Sequence, residues 1–163
     1  MREQFSDLLT QISLVEKKRS SGLCSRFADR FEDDLLEYGD FPETHLNFFL
    51  TLLSDKQYYD QPGIWNFVLA VNNARDALSS EQYERITNTF VANFGNYSDK
   101  ELCLAVCDFV ARNLEPSNAA CLLKKLKQEE LKKSADLQGY VDEGFFILGQ
   151  EIKRAAQHSD NEY

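Results

Sequence analysis

The run Glu101-Leu102-Cys103-Leu104-Ala105-Val106-Cys107-Asp108-Phe109-Val110-Ala111-Arg112-Asn113-Leu114 admits few folds. At helical spacing, Leu102, Val106 and Phe109 form one apolar stripe, and Cys103, Cys107, Val110 and Leu114 form a second beside it. A helix apolar over that much of its girth lies between two layers, as the inner helix of a stacked pair does. The two cysteines stand one turn apart on it. Two thiolates could share a metal, but tetrahedral zinc needs two further ligands. The chain offers only His45, His158 and the separate Cys24 and Cys121, with no C-x-x-C pair. Cys103 and Cys107 are therefore expected to be core sulfur, and no metal or cofactor is expected.

The rest of the chain carries helical stripes. Seven Gly and three Pro in 163 residues are too few for many short strands joined by tight turns. A first helix is expected over residues 3–18, with Phe5, Leu8, Leu9, Ile12 and Val15 on one face, and Ser20-Ser21-Gly22 should break it. A second should run from Leu23 to Tyr38, turn Phe27, Phe31, Leu35 and Tyr38 inward, and stop at Gly39. Pro42 opens a third, with Leu46, Phe49, Leu50 and Leu53 inward, and residues 55–63 read as a loop. A fourth spans Ile64 to Ala77, with Trp65, Val68, Leu69 and Asn72 on its inner side.

Ser79-Ser80-Glu81-Gln82 and Ser98-Asp99-Lys100-Glu101 both fit a capping box and start the next two helices. The first of these turns Tyr83, Ile86, Phe90 and Phe94 inward. Pro116 starts another, and a last helix over residues 138–157 carries Val141, Phe145, Leu148 and Ile152. The expected organisation is one all-α domain over residues 1–157 with a frayed tail over 158–163.

A faint repeat runs through this pattern. Leu69-Ala70-Val71 recurs as Leu104-Ala105-Val106, and Leu78-Ser79-Ser80 is matched by Leu114-Glu115-Pro116. A period in the mid-thirties belongs to helix-pair repeats. A short, irregular α-solenoid of about eight helices, related to the HEAT and tetratricopeptide kinds, is the expected fold; a plain helical bundle is the alternative.

Charge narrows the partners. The 27 acidic against 18 basic residues give a net charge of −9, which disfavours direct binding to a phosphate backbone and favours a basic protein partner. The first residues turn polar without the apolar core of a signal peptide, and no apolar run approaches the ~20 residues of a membrane span. The expected location is the cytoplasm, with reduced thiols and no membrane contact.

Chemistry has little to work with. No Gly-rich phosphate loop, G-x-S-x-G or H-E-x-x-H is present. A Cys24–His45 dyad lacks any motif around it, and Glu32 beside Asp33 reads as a solvated charge run. The chain is not expected to be an enzyme.

Contact residues stand out better. Residues 29–43 hold Asp29, Glu32, Asp33, Asp34, Glu37, Asp40 and Glu43 against Arg30 alone. Tyr58-Tyr59-Asp60 adds adjacent tyrosines, a residue type enriched at binding hot spots. The candidate partner-binding set is Asp33, Asp34, Glu37, Tyr38, Asp40, Tyr58, Tyr59 and Asp60. Trp65 is expected in the core. Lys124, Lys125, Lys127, Lys132 and Lys133 form a basic counter-patch interrupted by Glu129 and Glu130, with no interleaved aromatics for gripping RNA.

The segment from Leu46 to Leu126 resembles the α-helical immunity proteins of bacterial polymorphic toxins, including contact-dependent growth inhibition systems. The resemblance lies in "LTLLSDKQYYDQPGIWNFV", "LSSEQYERI" and "KELCLAVCDFVARNLEPSNAACLL". It implies a protein that binds the C-terminal domain of a cognate toxin, often a basic nuclease such as an RNase, and occludes its active site. It implies a monomer or a one-to-one complex with that toxin. It supplies no shared functional residues. An α-solenoid adaptor that binds peptides or the subunits of a complex is the competing expectation.

Overall fold

The computed structural model describes residues 17–161, with side chains described over 22–157. Residues 3–16 of the expected first helix lie outside the described residues. Among those described there are eight α-helices and no strand. They are α1 (Lys17–Tyr38), α2 (Glu43–Ser54), α3 (Lys56–Tyr59), α4 (Trp65–Asn73), α5 (Ser80–Asn93), α6 (Lys100–Asn113), α7 (Pro116–Glu130) and α8 (Tyr140–Asn161). No described helix is long and apolar enough to cross a membrane.

α1 runs straight through Ser20-Ser21-Gly22, where a break was expected. A glycine inside a helix costs about 1 kcal/mol. Burial of Cys24, Ala28, Phe31 and Leu35 on the turns that follow outweighs it. Gly39 does end the helix: its φ of 69° suits glycine, and its N–H donates to the Leu35 carbonyl at 3.0 Å. At the other end of the chain, α8 continues to Asn161, past the expected boundary at residue 157.

The helices stack in two layers. α1, α4, α6 and α8 pack side by side in one, and α2, α5 and α7 in the other. Successive members of the first layer are tied by Asn73 Nδ2 to Glu32 Oε1 (2.9 Å), Asn113 Nδ2 to Asn72 Oδ1 (2.6 Å) and Arg112 Nη1 to Glu151 Oε1 (2.8 Å). The bonded residues are 41, 41 and 39 positions apart, the spacing of one helix pair. The sequence repeat has the same origin. Leu69 and Leu104 both reach the surface, whereas Ala70, Ala105, Val71 and Val106 are all inside.

As the two stripes required, α6 is the most enclosed helix, burying Leu102, Cys103, Ala105, Val106, Cys107, Phe109, Val110 and Ala111. Its neighbour α8 comes close enough that a Cβ at Gly144 would lie 2.9 Å from Leu123 Cδ2 and 3.1 Å from Cys107 Cβ. Phe31 joins α1 to α2 and α4, with ring centroids 5.7 Å from Phe48 and 5.8 Å from Phe67. One core cluster then continues from Cys24 to Leu148.

Local chemistry moved several expected boundaries. Ser79 and Gln82 make the full capping box, but α6 is capped by Asp99, whose carboxylate accepts from Glu101 N at 2.9 Å. Within the expected loop, Asp55 caps the single turn of α3 by accepting from Gln57 N at 3.1 Å. α4 is shorter than expected and gives way to a 3₁₀ turn over Arg75–Ala77. Its buried residues are Phe67, Val68, Ala70, Val71 and Asn72, because α1 and α6 cover it from two sides. Leu69, expected inside, therefore faces outward, while Trp65 is half-buried against the core at its edge.

Candidate functional site: the outer face of the first helix layer

The acidic run divides according to the period of α1. Asp33, Glu37 and Asp40 are exposed, with Asp29 one turn earlier. They carry no ion pair among the described residues. Leu36, 59% exposed, lies one turn from Asp33 on this face, whereas Tyr38, 43% exposed, projects from nearly the opposite side of α1. Glu43 pairs with Arg85 at 2.8 Å, and Glu32 accepts the bond from Asn73.

Asp34 does not belong to this surface. It is 1% exposed, and its Oδ2 lies 3.2 Å from His45 Nε2 on α2. It shares the inner side of α1 with Phe31, three residues earlier, and Leu35. Tyr59 is also corrected. One helical turn rotates it inward, where its ring packs edge-on against Tyr97 at 5.1 Å, and Tyr58 is left half-buried against the core. Asp60 is held by Lys56 at 2.7 Å. Of the eight candidates, Asp33, Glu37, Tyr38 and Asp40 are exposed, Tyr38 on a different side of α1 from Asp33, while Tyr58, Tyr59 and Asp60 belong to a turn tied into the core.

The sequence reading missed a groove on the same layer. Across α4, α6 and α8, Trp65, Leu69, Leu104 and Ile147 line a depression of about 450 Å³. Leu69 and Leu104 are 37% and 36% exposed. Glu101, Asp108 and Glu143 line it too, and no lysine or arginine does. Glu101 and Glu143 have no ion pair among the described residues, and Asp108 accepts from Arg112 Nε at 2.7 Å. The repeat held the signal, since it places Leu69 and Leu104 at matching positions of neighbouring helices.

Cys24, Cys103 and Cys107 lie in the core, and of the basic counter-patch Lys127, Lys132 and Lys133 are engaged within the fold while Lys124 and Lys125 are exposed. Cys103 and Cys107 are wholly buried, and burial raises both thiol pKa values, that of Cys107 well above the ordinary range. Cys103 Sγ meets the Lys133 ammonium at 3.2 Å. No cluster of three or more His, Cys, Asp or Glu able to hold a metal occurs among the described residues. Cys24 and His45 are both enclosed by the core. Lys127 pairs with Glu130 and Asp142, and Lys132 with Glu129. Lys133 donates to the Tyr97 carbonyl at 2.7 Å and sits over the Phe94 ring. A second cleft of about 690 Å³, between α5 and α7, is lined by Tyr83, Leu114 and Leu122 together with groups of both signs, Glu84, Glu115 and Lys125.

A thiol-reactive probe checks this assignment. In the folded protein it should label the exposed Cys121 at once, and label Cys24, Cys103 and Cys107 only as fast as the chain opens. Rapid labelling of Cys103 in the native state would contradict its place in the core.

No protein-family model, no curated protein and no solved structure matches the chain.

Proposed function

We propose that this chain is an immunity protein, which binds the cationic C-terminal domain of a polymorphic toxin and neutralises it by covering its active site. The observation that supports this is the outer face of the first helix layer. There Asp33, Glu37 and Asp40 are exposed without an ion pair among the described residues, and Leu36 is exposed one turn from Asp33. Unpaired carboxylates on a chain of net charge −9 attract a basic protein and speed the encounter. Exposed Leu36 beside Asp33 then supplies apolar contact area that excludes water. Against a nuclease, the same carboxylates would take the positions of substrate phosphates. The complex would be one-to-one and cytoplasmic, where the toxin acts. A helical adaptor is the second reading, favoured by the stacked helix pairs, which build extended binding faces in other repeat proteins.

Tagged protein used as bait in lysate of the source cells separates the two readings. Capture of the basic C-terminal domain of a large secreted or surface protein supports immunity; capture of housekeeping subunits supports the adaptor. With the partner in hand, the triple variant Asp33→Lys, Glu37→Lys, Asp40→Lys should associate about tenfold more slowly at low salt, and less salt-dependently, by stopped flow. Asp34 is left out because it is buried. Unchanged association kinetics would remove the α1 patch from the interface.

A further inference from the structure

The groove across α4, α6 and α8 has a shape and chemistry of its own, separate from the α1 patch. Its floor is Trp65 and Leu69 from α4, Leu104 from α6 and Ile147 from α8. Its charged groups, Glu101, Asp108 and Glu143, are all carboxylates. On α6, Glu101 and Asp108 lie one turn either side of Leu104; on α8, Glu143 lies one turn before Ile147. Apolar contact along the middle and negative charge around it call for an occupant with the opposite arrangement, an apolar ridge flanked by cations.

Backbone hydrogen bonding decides the conformation of that occupant. Every lining residue lies in a helix, and apart from Trp65, which opens α4, the backbone groups are paired within the helices or by their caps. Apart from the Trp65 indole, whose N–H is a single donor, the side chains on offer are apolar or carboxylate, and a carboxylate only accepts. An extended peptide laid here would lose water from most of its carbonyls and gain too few donors in return. A helix satisfies its own backbone and presents only side chains. Three neighbouring helices at about 9 Å spacing span roughly 20 Å, and a helix of about 13 residues covers that length.

We propose that this groove receives the apolar face of a cationic amphipathic helix from the partner protein. Leu69, Leu104 and Ile147 interdigitate with its leucine-like ridge, and Glu101 and Glu143 pair with the lysines or arginines beside the ridge. The inference rests on the reading of this layer as a docking face for a basic protein. It adds a second contact, distinct from the α1 patch.

Trp65 makes the test direct, because it is the sole tryptophan and lines the groove. The probe is a synthetic helical peptide of about 14 residues, built of leucine and lysine with leucines on one face. Its control has the same composition, shuffled so that the leucines share no face. The amphipathic peptide should shift Trp65 emission in a saturable one-to-one titration, and the shuffled peptide should bind about tenfold more weakly. Leu104→Asn, an exposed change whose fold is checked by circular dichroism, should weaken the amphipathic peptide about tenfold. Equal binding of the shuffled peptide, or full affinity in Leu104→Asn, would show attraction by net charge alone and overturn the proposal. Absence of saturable binding, alongside undiminished capture of the basic partner by Leu104→Asn, would remove the groove and leave the proposed function standing.

Discussion

Phe31→Ala lowers the stability of this protein by about 4 kcal/mol, the largest loss expected from a single core truncation. Phe31 is fully buried, and its ring meets Phe41, His45, Phe48, Phe49 and Phe67 at centroid distances from 5.3 to 6.4 Å. Those residues come from α2, from α4 and from the turn between α1 and α2. Removing the ring therefore opens a cavity where three elements join, with rigid rings around it that cannot collapse inward. Loss of edge-to-face contacts such as that with Phe67 adds to the cavity cost. In urea the midpoint should fall with the slope unchanged, and the melting temperature should drop by roughly 10 °C. Leu36→Ala, at an exposed position on the same helix, should cost no more than about 0.5 kcal/mol. A loss below about 1 kcal/mol for Phe31→Ala would mean that the cluster does not hold α1 to the stack.

Glu130→Ala should cost about 3 kcal/mol, for a different reason. This carboxylate is wholly buried at the end of α7, yet it belongs functionally to the start of α8. Its Oε1 accepts from Gly139 N at 2.8 Å and its Oε2 from Val141 N at 2.9 Å, while Lys127 Nζ lies 3.2 Å away. The first N–H groups of a helix have no partner within it, and they carry the positive end of its dipole. No residue next to α8 in sequence caps it; Glu130 does so from the preceding helix, across the turn that Gly139 makes with a φ of 105°. Alanine would leave those donors buried and unpaired. Glutamine would turn an NH₂ toward one of them and recover little. Faster hydrogen exchange at Val141 amide is the local signature. Unchanged exchange and an unchanged urea midpoint would contradict the capping role.

Much of this fold can be read from spacing alone. The double stripe of residues 101–114 requires a covered helix, Gly39 and Pro116 punctuate as their backbone preferences dictate, and the repeat at Leu69 and Leu104 marks equivalent helices. The candidate site was less legible, because a single-face reading assigns each helix one inside. α4 is covered by both α1 and α6, so its inner surface turns toward Phe67 and Val71, pushing Leu69 out and leaving Trp65 half-buried at the edge of the core. Asp34 shows the converse. It stands at i+7 from Phe27 and i+3 from Phe31, on the inner stripe, but its charge suggested surface until His45 appeared as its partner on another helix. Tyr59 turned inward because Asp55 nucleates a helical turn where the polar sequence suggested a loop. In each case the deciding contact comes from a residue distant in sequence or from a one-turn cap.

Growth of cells making the basic C-terminal domain captured with this chain, with and without the chain, tests the central claim most directly. The account predicts that the domain alone arrests growth, that the wild-type chain restores it, and that the Asp33→Lys, Glu37→Lys, Asp40→Lys variant restores it poorly while accumulating to the same level. Arrest that persists in the presence of abundant wild-type chain would contradict neutralisation, and so would a captured domain that is harmless on its own.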